Sequence, residues 1–200
     1  MPFPFKNCSC VLLFSGEASD GPEANFFKHA GADIDGSVLV WSRRGKRLLT
    51  STMNERKARA LVSYPVSAFG AGGSAQALRK LAPRGKIGLD YDHISAARLQ
   101  RLEKYFGARR LADVAEALER LRSAKSPGEL AKMAQSVRIA KEILSNVKLT
   151  PSMTELDAVR ELRLMCVRRG VDFSFPPIVG SGPNSAKPHH SPSSRRLGTG

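Results

Sequence analysis

The sequence is poor in cysteine, in aromatic residues and in long apolar runs. Its three cysteines in 200 residues are too few, and odd in number, for a disulfide framework, so they fit a reducing compartment. No window approaches the roughly 20 apolar residues that span a bilayer. The N-terminus lacks the basic and apolar regions of a signal peptide. We therefore expect a cytoplasmic protein with no membrane association.

Acidic residues are also scarce relative to basic ones. The 32 lysines and arginines outnumber the 18 aspartates and glutamates, which gives a formal net charge of +14 at pH 7. A basic surface attracts phosphate backbones and anionic lipids. However, the basic residues are scattered over every predicted helix, and aromatic residues, 6% of the chain, are not interleaved with them. Specific nucleic-acid binding is therefore disfavoured.

The first 122 residues alternate between strand-like and helix-like segments. Short apolar or β-branched segments predict strands at 11–14, 37–41, 46–50, 66–69 and 86–89. Helical spacing of apolar residues predicts helices at 54–62, 75–81 and 95–106. The second and third strands are separated by the turn 43–45 and should form a hairpin. This alternation is typical of an α/β domain with a partly parallel sheet.

Residues 123–200 begin with two well-marked helices. The first has a capping box at Ser126–Glu129, with a proline at the first helical position. The second begins at Thr154 and ends at Gly170, and the pair should form a helical hairpin leading into a strand at 173–179. Apolar residues at spacings of three and four predict that one face of the first helix is buried: Leu130, Met133, Val137, Ala140 and Leu144.

The most specific motif is Ser-Gly-Pro-Asn-Ser-Ala-Lys-Pro-His at residues 181–189. It resembles the start of the catalytic domain of the Xaa-Pro peptidases (prolidase and aminopeptidase P), the M24 metallopeptidases with the pita-bread fold. Ala124–Glu129 is similar to the "K-S-x-x-E" start of that domain. Weaker pieces look like the creatinase-like N-terminal domain of microbial members: Phe3–Asn7, Leu12–Gly16, Asp35–Ser37 and Gly88–Asp90.

The resemblance implies an α/β fold class: a creatinase-like N-terminal domain at 1–122, then the incomplete first half of a pita-bread (α+β) catalytic domain at 123–200. It implies a homodimeric, metal-dependent aminopeptidase or dipeptidase that hydrolyses the bond before proline in peptides. The family's two divalent metals are held by two Asp, one His and two Glu that come later in the chain. No acidic residue follows Asp172. We therefore assign no metal ligand, expect this chain to bind no cofactor, and expect it to be inactive in isolation.

His189 is the residue to which the resemblance gives a role. The family's histidine after the Ala-x-Pro step lies beside the metals and hydrogen-bonds the substrate, so His189 is predicted to be catalytic and substrate-binding. On an extended segment, only one of His189 and His190 should face the pocket. Asn184 is expected to hydrogen-bond the backbone locally and shape the loop. The alternative is a non-catalytic binding or oligomerisation subunit, or a basic nucleic-acid-associated module.

Two further groups have plainer interpretations. Cys8 and Cys10 offer only half of the about four ligands that a structural zinc needs, and the chain has four histidines. Asp90, Asp92 and His93 form an acidic trio, but they follow a predicted strand and precede a predicted helix. Capping and turn roles are therefore the favoured interpretation of the trio.

Overall fold

The computed structural model describes residues 3–16, 23–70 and 73–198. The chain divides into two compact units, an N-terminal unit at Met1–Ala124 and a C-terminal unit at Lys125–Gly200. The domain assignment to 1–122 and 123–200 stays a prediction. None of the described helices has the length and apolar character needed to cross a membrane.

The N-terminal unit is built on a six-stranded mixed sheet with the order β4-β3-β2-β1-β5-β6. The strands are β1 (Cys10–Phe14), β2 (Val38–Ser42), β3 (Gly45–Ser51), β4 (Val66–Phe69), β5 (Ile87–Leu89) and β6 (Leu111–Asp113). The first three form an antiparallel meander, and β2 and β3 form the predicted hairpin. The other three pair in parallel with their neighbours. The predicted α/β class is confirmed.

Helices cover both faces of this sheet. They are α1 (Ala24–Ala30), α2 (Glu55–Leu61), α3 (Gly73–Leu81), α4 (Ala96–Phe106) and α5 (Ala115–Ser123). Alternate side chains of one strand point to opposite faces, so Val11 of β1 joins a core with Phe26 and Leu118, while Leu12 joins a second core with Leu78. Burial on both faces explains why these strands read as continuous apolar segments.

The C-terminal unit contains the two predicted helices, α6 (Pro127–Asn146) and α7 (Glu155–Arg168). The predicted capping box is present at the start of α6, where Ser126 and Glu129 exchange hydrogen bonds, and a second one joins Thr154 and Asp157 at the predicted start of α7. Both helix starts were predictable because a capping box is a local contact between residues three apart.

Two sequence predictions for this unit are wrong. Residues 173–179 form no strand, because Pro176 and Pro177 lack the N–H that a ladder needs and a lone strand has no partner here. The apolar stripe of α6 is exposed rather than buried: Val137 is 54% exposed and Leu144 is 63% exposed. Ile143 is the buried residue of α6. Periodicity located the helix, but the neighbouring elements determine which side is covered.

Gly88 provides a test of the packing around β5. An added Cβ would lie 2.9 Å from Cγ2 of Val11 and 3.0 Å from the methyl groups of Val114. We expect Gly88→Ala to lower the free energy of unfolding by about 1–3 kcal/mol, because a strand inside the sheet cannot move aside. Denaturation followed by the fluorescence of Trp41, the single tryptophan, measures this change.

The matched control for this prediction is Gly70→Ala, where an added Cβ meets no atom of the described residues within 4 Å. We expect its effect to stay within about 0.5 kcal/mol. Equal losses in the two variants would contradict the packing explanation.

Candidate functional site

The carboxylate of Glu155 lies at the first residue of α7 and is fully buried. Its Oε1 accepts hydrogen bonds from the backbone N–H of Ser181 at 2.7 Å, from the Ser181 hydroxyl at 3.0 Å and from the Asn184 amide at 3.1 Å. Its Oε2 accepts from the N–H and the hydroxyl of Ser193 at 3.0 and 2.8 Å, and lies 2.9 Å from Nε2 of His190. One side chain therefore gathers three parts of the segment that follows α7.

The electrostatics of Glu155 follow from these contacts. Burial by itself raises the pKa of Glu155, but the hydrogen bonds from His190, Ser193, Ser181 and Asn184 outweigh it and hold the pKa well below its usual range. The carboxylate is therefore ionised at neutral pH. Because an ionised carboxylate only accepts hydrogen bonds, Nε2 of His190 carries the proton.

The backbone of residues 193–197 also binds the start of α7. The N–H groups of Glu155 and Leu156 donate to the carbonyl oxygens of Arg195 and Ser193 at 2.9 and 3.2 Å. The first N–H groups of a helix have no partner within the helix, so the loop supplies their acceptors. An isolated bridge between Thr154 and Arg196 completes this contact.

The motif 181–189 adopts a compact turn. Its residues Gly182–Ala186 form one 3₁₀ segment, and an added Cβ at Gly180 would lie 2.9 Å from the carbonyl oxygen of Asn184. The Asn184 side chain does not hydrogen-bond the local backbone as predicted. Its amide nitrogen donates to Glu155, and its oxygen accepts from Lys187 at 2.9 Å.

The structure separates the two histidines that follow the turn. The side chain of His190 is 11% exposed and contacts Glu155. His189 is exposed, and its φ of 55° lies in the left-handed region that non-glycine residues rarely adopt. The imidazole of His189 is therefore accessible from solvent, while that of His190 belongs to the buried network. The substrate-binding and catalytic role of His189 stays a prediction.

Sequence reasoning missed Glu155 and Ser193. Because Glu155 directly follows the N-cap residue Thr154, its position in the sequence is that of an ordinary residue in the first turn of a helix. Its partners follow 26 to 38 residues later in the chain. A capping motif reports contacts over three residues and carries no signal of a contact at that separation.

The structure brings together only two members of the acidic trio, Asp90 and His93. Asp90 and His93 come together with Glu23, and one potential ligand atom of each lies within 4.8 Å of the other two. Asp92 is exposed and lies outside this group. Over residues 3–16, 23–70 and 73–198, this is the one group of three or more potential metal ligands. In the described part of the C-terminal unit, no three such residues come this close together.

The cysteines take no part in such a group. Cys8 and Cys10 are free and buried, and they belong to the cores on opposite faces of the sheet. Burial, with a smaller contribution from Cys8, raises the pKa of Cys10 to about 12, so this thiol stays protonated at neutral pH. The half-site for zinc is therefore not formed. Cys166 is likewise buried and free.

Family models match almost the whole chain. Residues 11–124 match the creatinase/prolidase N-terminal domain, more than half of the sequence. The chain belongs to the creatinase/prolidase family. Residues 131–200 of this creatinase-like chain match metallopeptidase family M24, so the predicted family is confirmed.

Solved structures of similar fold cover both units of the creatinase-like chain. The X-Pro aminopeptidase of Thermotoga maritima is 22% identical, with a TM-score of 0.79 over 96% of this chain and 55% of its own. The prolidase of Pyrococcus horikoshii is 18% identical, with a TM-score of 0.81 over 96% of this chain and 53% of its own. At these identities the likeness establishes the fold alone.

A curated relative is an uncharacterized peptidase of Staphylococcus aureus strain USA300. It is 29% identical over 115 residues, which are 56% of this chain and 33% of the relative. The creatinase-like chain thus spans about half the length of the similar solved proteins, and its match spans a third of the curated relative.

Glu155→Gln tests the buried carboxylate. Because the folded-state pKa of Glu155 lies below the unfolded value of about 4.3, its stabilisation is present above that pH and is lost as the pH falls below it. We expect the variant to unfold several degrees lower at pH 7, and to lose less stability than the native chain upon acidification from pH 5 to 3. Thermal unfolding followed by circular dichroism measures both effects.

The control is Glu161→Gln, which removes a carboxylate from the same helix outside the network. It should keep the unfolding midpoint and the acid dependence of the native chain. If Glu155→Gln and the native chain show the same midpoint and the same acid dependence, the network does not stabilise the unit.

Proposed function

We propose that this chain is the N-terminal portion of a metal-dependent Xaa-Pro aminopeptidase or dipeptidase, which hydrolyses the peptide bond before proline. The observation that carries the proposal is the turn at 181–189, folded onto the ionised carboxylate of Glu155 within the segment that matches family M24. The similar solved proteins named X-Pro aminopeptidase and prolidase support the same substrate class. Under this proposal the chain alone is inactive, because the described residues of its C-terminal unit do not gather a metal centre.

The residues of the chain itself bind and orient the substrate in this proposal. His189 donates or accepts a hydrogen bond at the peptide group, because a neutral imidazole carries both a donor and an acceptor. Glu155 and His190 are positioning residues: their 2.9 Å contact fixes the residue next to His189. A side chain on a fixed loop loses less freedom upon binding than one on a mobile loop.

The proposal extends to location and assembly. We place the protein in the cytoplasm as a homodimer that acts on proline-containing peptides. The three cysteines are all free thiols, which supports a reducing compartment.

The nucleotide sequence that follows the Gly200 codon tests the proposal most directly. We expect a reading frame that encodes an aspartate-rich strand, followed by histidine and glutamate ligands for two metals. A stop codon followed by no such ligands in any frame would contradict the enzymatic role.

The role of His189 is tested in the product of that extended frame. We expect His189→Ala to lower kcat/KM for a Xaa-Pro peptide by at least about 100-fold, the usual contribution of a positioned acid or base. Peptide hydrolysis in the presence of Mn²⁺ or Co²⁺ measures this effect. Ser191→Ala, at an exposed residue two positions later, is the control and should keep native activity. Native activity in His189→Ala would remove the residue from the site.

The surface of α6 favours a second candidate, a non-catalytic binding or oligomerisation subunit. Its exposed apolar residues follow the spacing of one helix face: Leu130, Met133, Val137 and Leu144. A continuous exposed apolar surface is typical of a protein contact. The downstream sequence separates the candidates, since a stop codon without later metal ligands supports the second one.

The α6 surface gives a prediction that applies to both candidates. We expect the purified chain to self-associate, and Val137→Lys to weaken the association at least about tenfold, because it places a charge in an apolar contact. Sedimentation equilibrium measures the dissociation constant. Gln135→Lys adds the same charge on a different side of α6 and should leave the constant unchanged. Equal behaviour of the two variants would exclude this surface.

A further inference from the structure

Three potential metal ligands of the N-terminal unit come from separate parts of the fold. Asp90 directly follows β5, His93 lies in the turn after it, and Glu23 is the residue that caps α1. One ligand atom of each lies within 4.8 Å of the other two. Asp90 is 7% exposed, and the side chain of His93 is 45% exposed. The group is therefore buried at Asp90 and open to solvent at His93.

Only one of the two oxygens of the buried Asp90 carboxylate has hydrogen-bond partners among the described residues. Its Oδ2 accepts a hydrogen bond from the amide of Asn25 at 2.6 Å and lies 3.1 Å from Nδ1 of His93. Its Oδ1 is buried and has no hydrogen-bond partner among these residues. A buried acceptor without a partner is costly and rare, so this oxygen favours a further ligand.

A small cavity lies at this position. Glu23, Asp90 and His93 line it together with apolar residues, namely Leu12, Leu13, Phe14 and Ile94. Its volume of about 10 Å³ is close to that of one water-sized sphere. The cavity is therefore of the size that a single ion or water molecule fills.

We propose that Glu23, Asp90 and His93 bind one divalent transition-metal ion, of the zinc class, in the N-terminal unit. An imidazole with two carboxylates is a ligand set that suits such ions, and three protein ligands leave a position for water. The two negative charges of the carboxylates balance the two positive charges of the ion. This site is independent of the proposed peptidase function, because all three ligands lie outside the segment that matches family M24.

The existing contacts of Glu23 are compatible with this role. Its two carboxylate oxygens accept from the backbone N–H groups of Asn25 and Phe26 at 2.8 and 2.5 Å, and each oxygen has a second lone pair. Nδ1 of His93 already lies 3.1 Å from Oδ2 of Asp90, whereas metal–ligand distances of about 2.0–2.2 Å require ligand atoms that lie up to 4.8 Å apart to approach one another. His93 lies on an exposed turn, which leaves its side chain room to adjust. The bound ion would connect the start of α1 to the end of β5.

Titration of the purified chain with Zn²⁺, followed by calorimetry, tests the site. We expect one equivalent bound per chain, with no competition from a tenfold excess of Mg²⁺, which prefers an all-oxygen site. His93→Gln should lower the affinity at least about tenfold, since even the loss of a group that only supports a ligand typically costs 10- to 100-fold. Asp92→Asn, at an exposed carboxylate next to His93, is the matched control and should bind like the native chain.

A second readout locates the ion. Mn²⁺ should broaden the amide NMR signals of Asn25 and Ile94 in the native chain and leave them sharp in His93→Gln. Because His93 is exposed, this variant should keep the native circular dichroism spectrum. The proposal is overturned if the folded native chain binds no Zn²⁺, or if His93→Gln binds it with native affinity. In the first case a water molecule is the partner of Asp90.

Discussion

The ionised carboxylate of Glu155 is the contact on which the C-terminal unit depends. Six donor atoms from Ser181, Asn184, His190 and Ser193 surround its two oxygens. Burying a charge is costly unless hydrogen bonds replace the water that it loses. The observed arrangement of the chain after α7 meets this cost, and the same hydrogen bonds hold the turn at 181–189 and orient His190.

The two units are stabilised in different ways. The sheet of the N-terminal unit has apolar cores on both faces, so its stability comes mainly from removing apolar surface from water. In the described part of the C-terminal unit, the buried apolar residues are only Ile143, Ala158 and Cys166. With so little apolar burial, a polar network and two capped helices carry a larger share of the stability. The fold of such a unit depends more on directional hydrogen bonds than on the packing of apolar side chains.

The sequence predicted those features that depend on neighbouring residues. The helix starts at Ser126 and Thr154 and the hairpin of β2 and β3 are local, and all three are present. It failed where distant residues decide the outcome: the exposure of the α6 stripe, the missing strand at 173–179, and the three short elements α1, β6 and α5. The candidate sites show the same limit. The motif containing His189 was visible as a pattern, whereas the carboxylate that folds it, Glu155, was not.

The position of β1 in the centre of its sheet sets the order in which the N-terminal unit forms. Val11 pairs with Trp41 on one side and with Gly88 on the other. During synthesis the antiparallel meander is available early, but β1 keeps an open edge until β5 has left the ribosome. Closing such a long loop is slow relative to hairpin formation. The nascent chain therefore passes through a stage in which an apolar strand edge is exposed, and protection by a chaperone matters most during that interval.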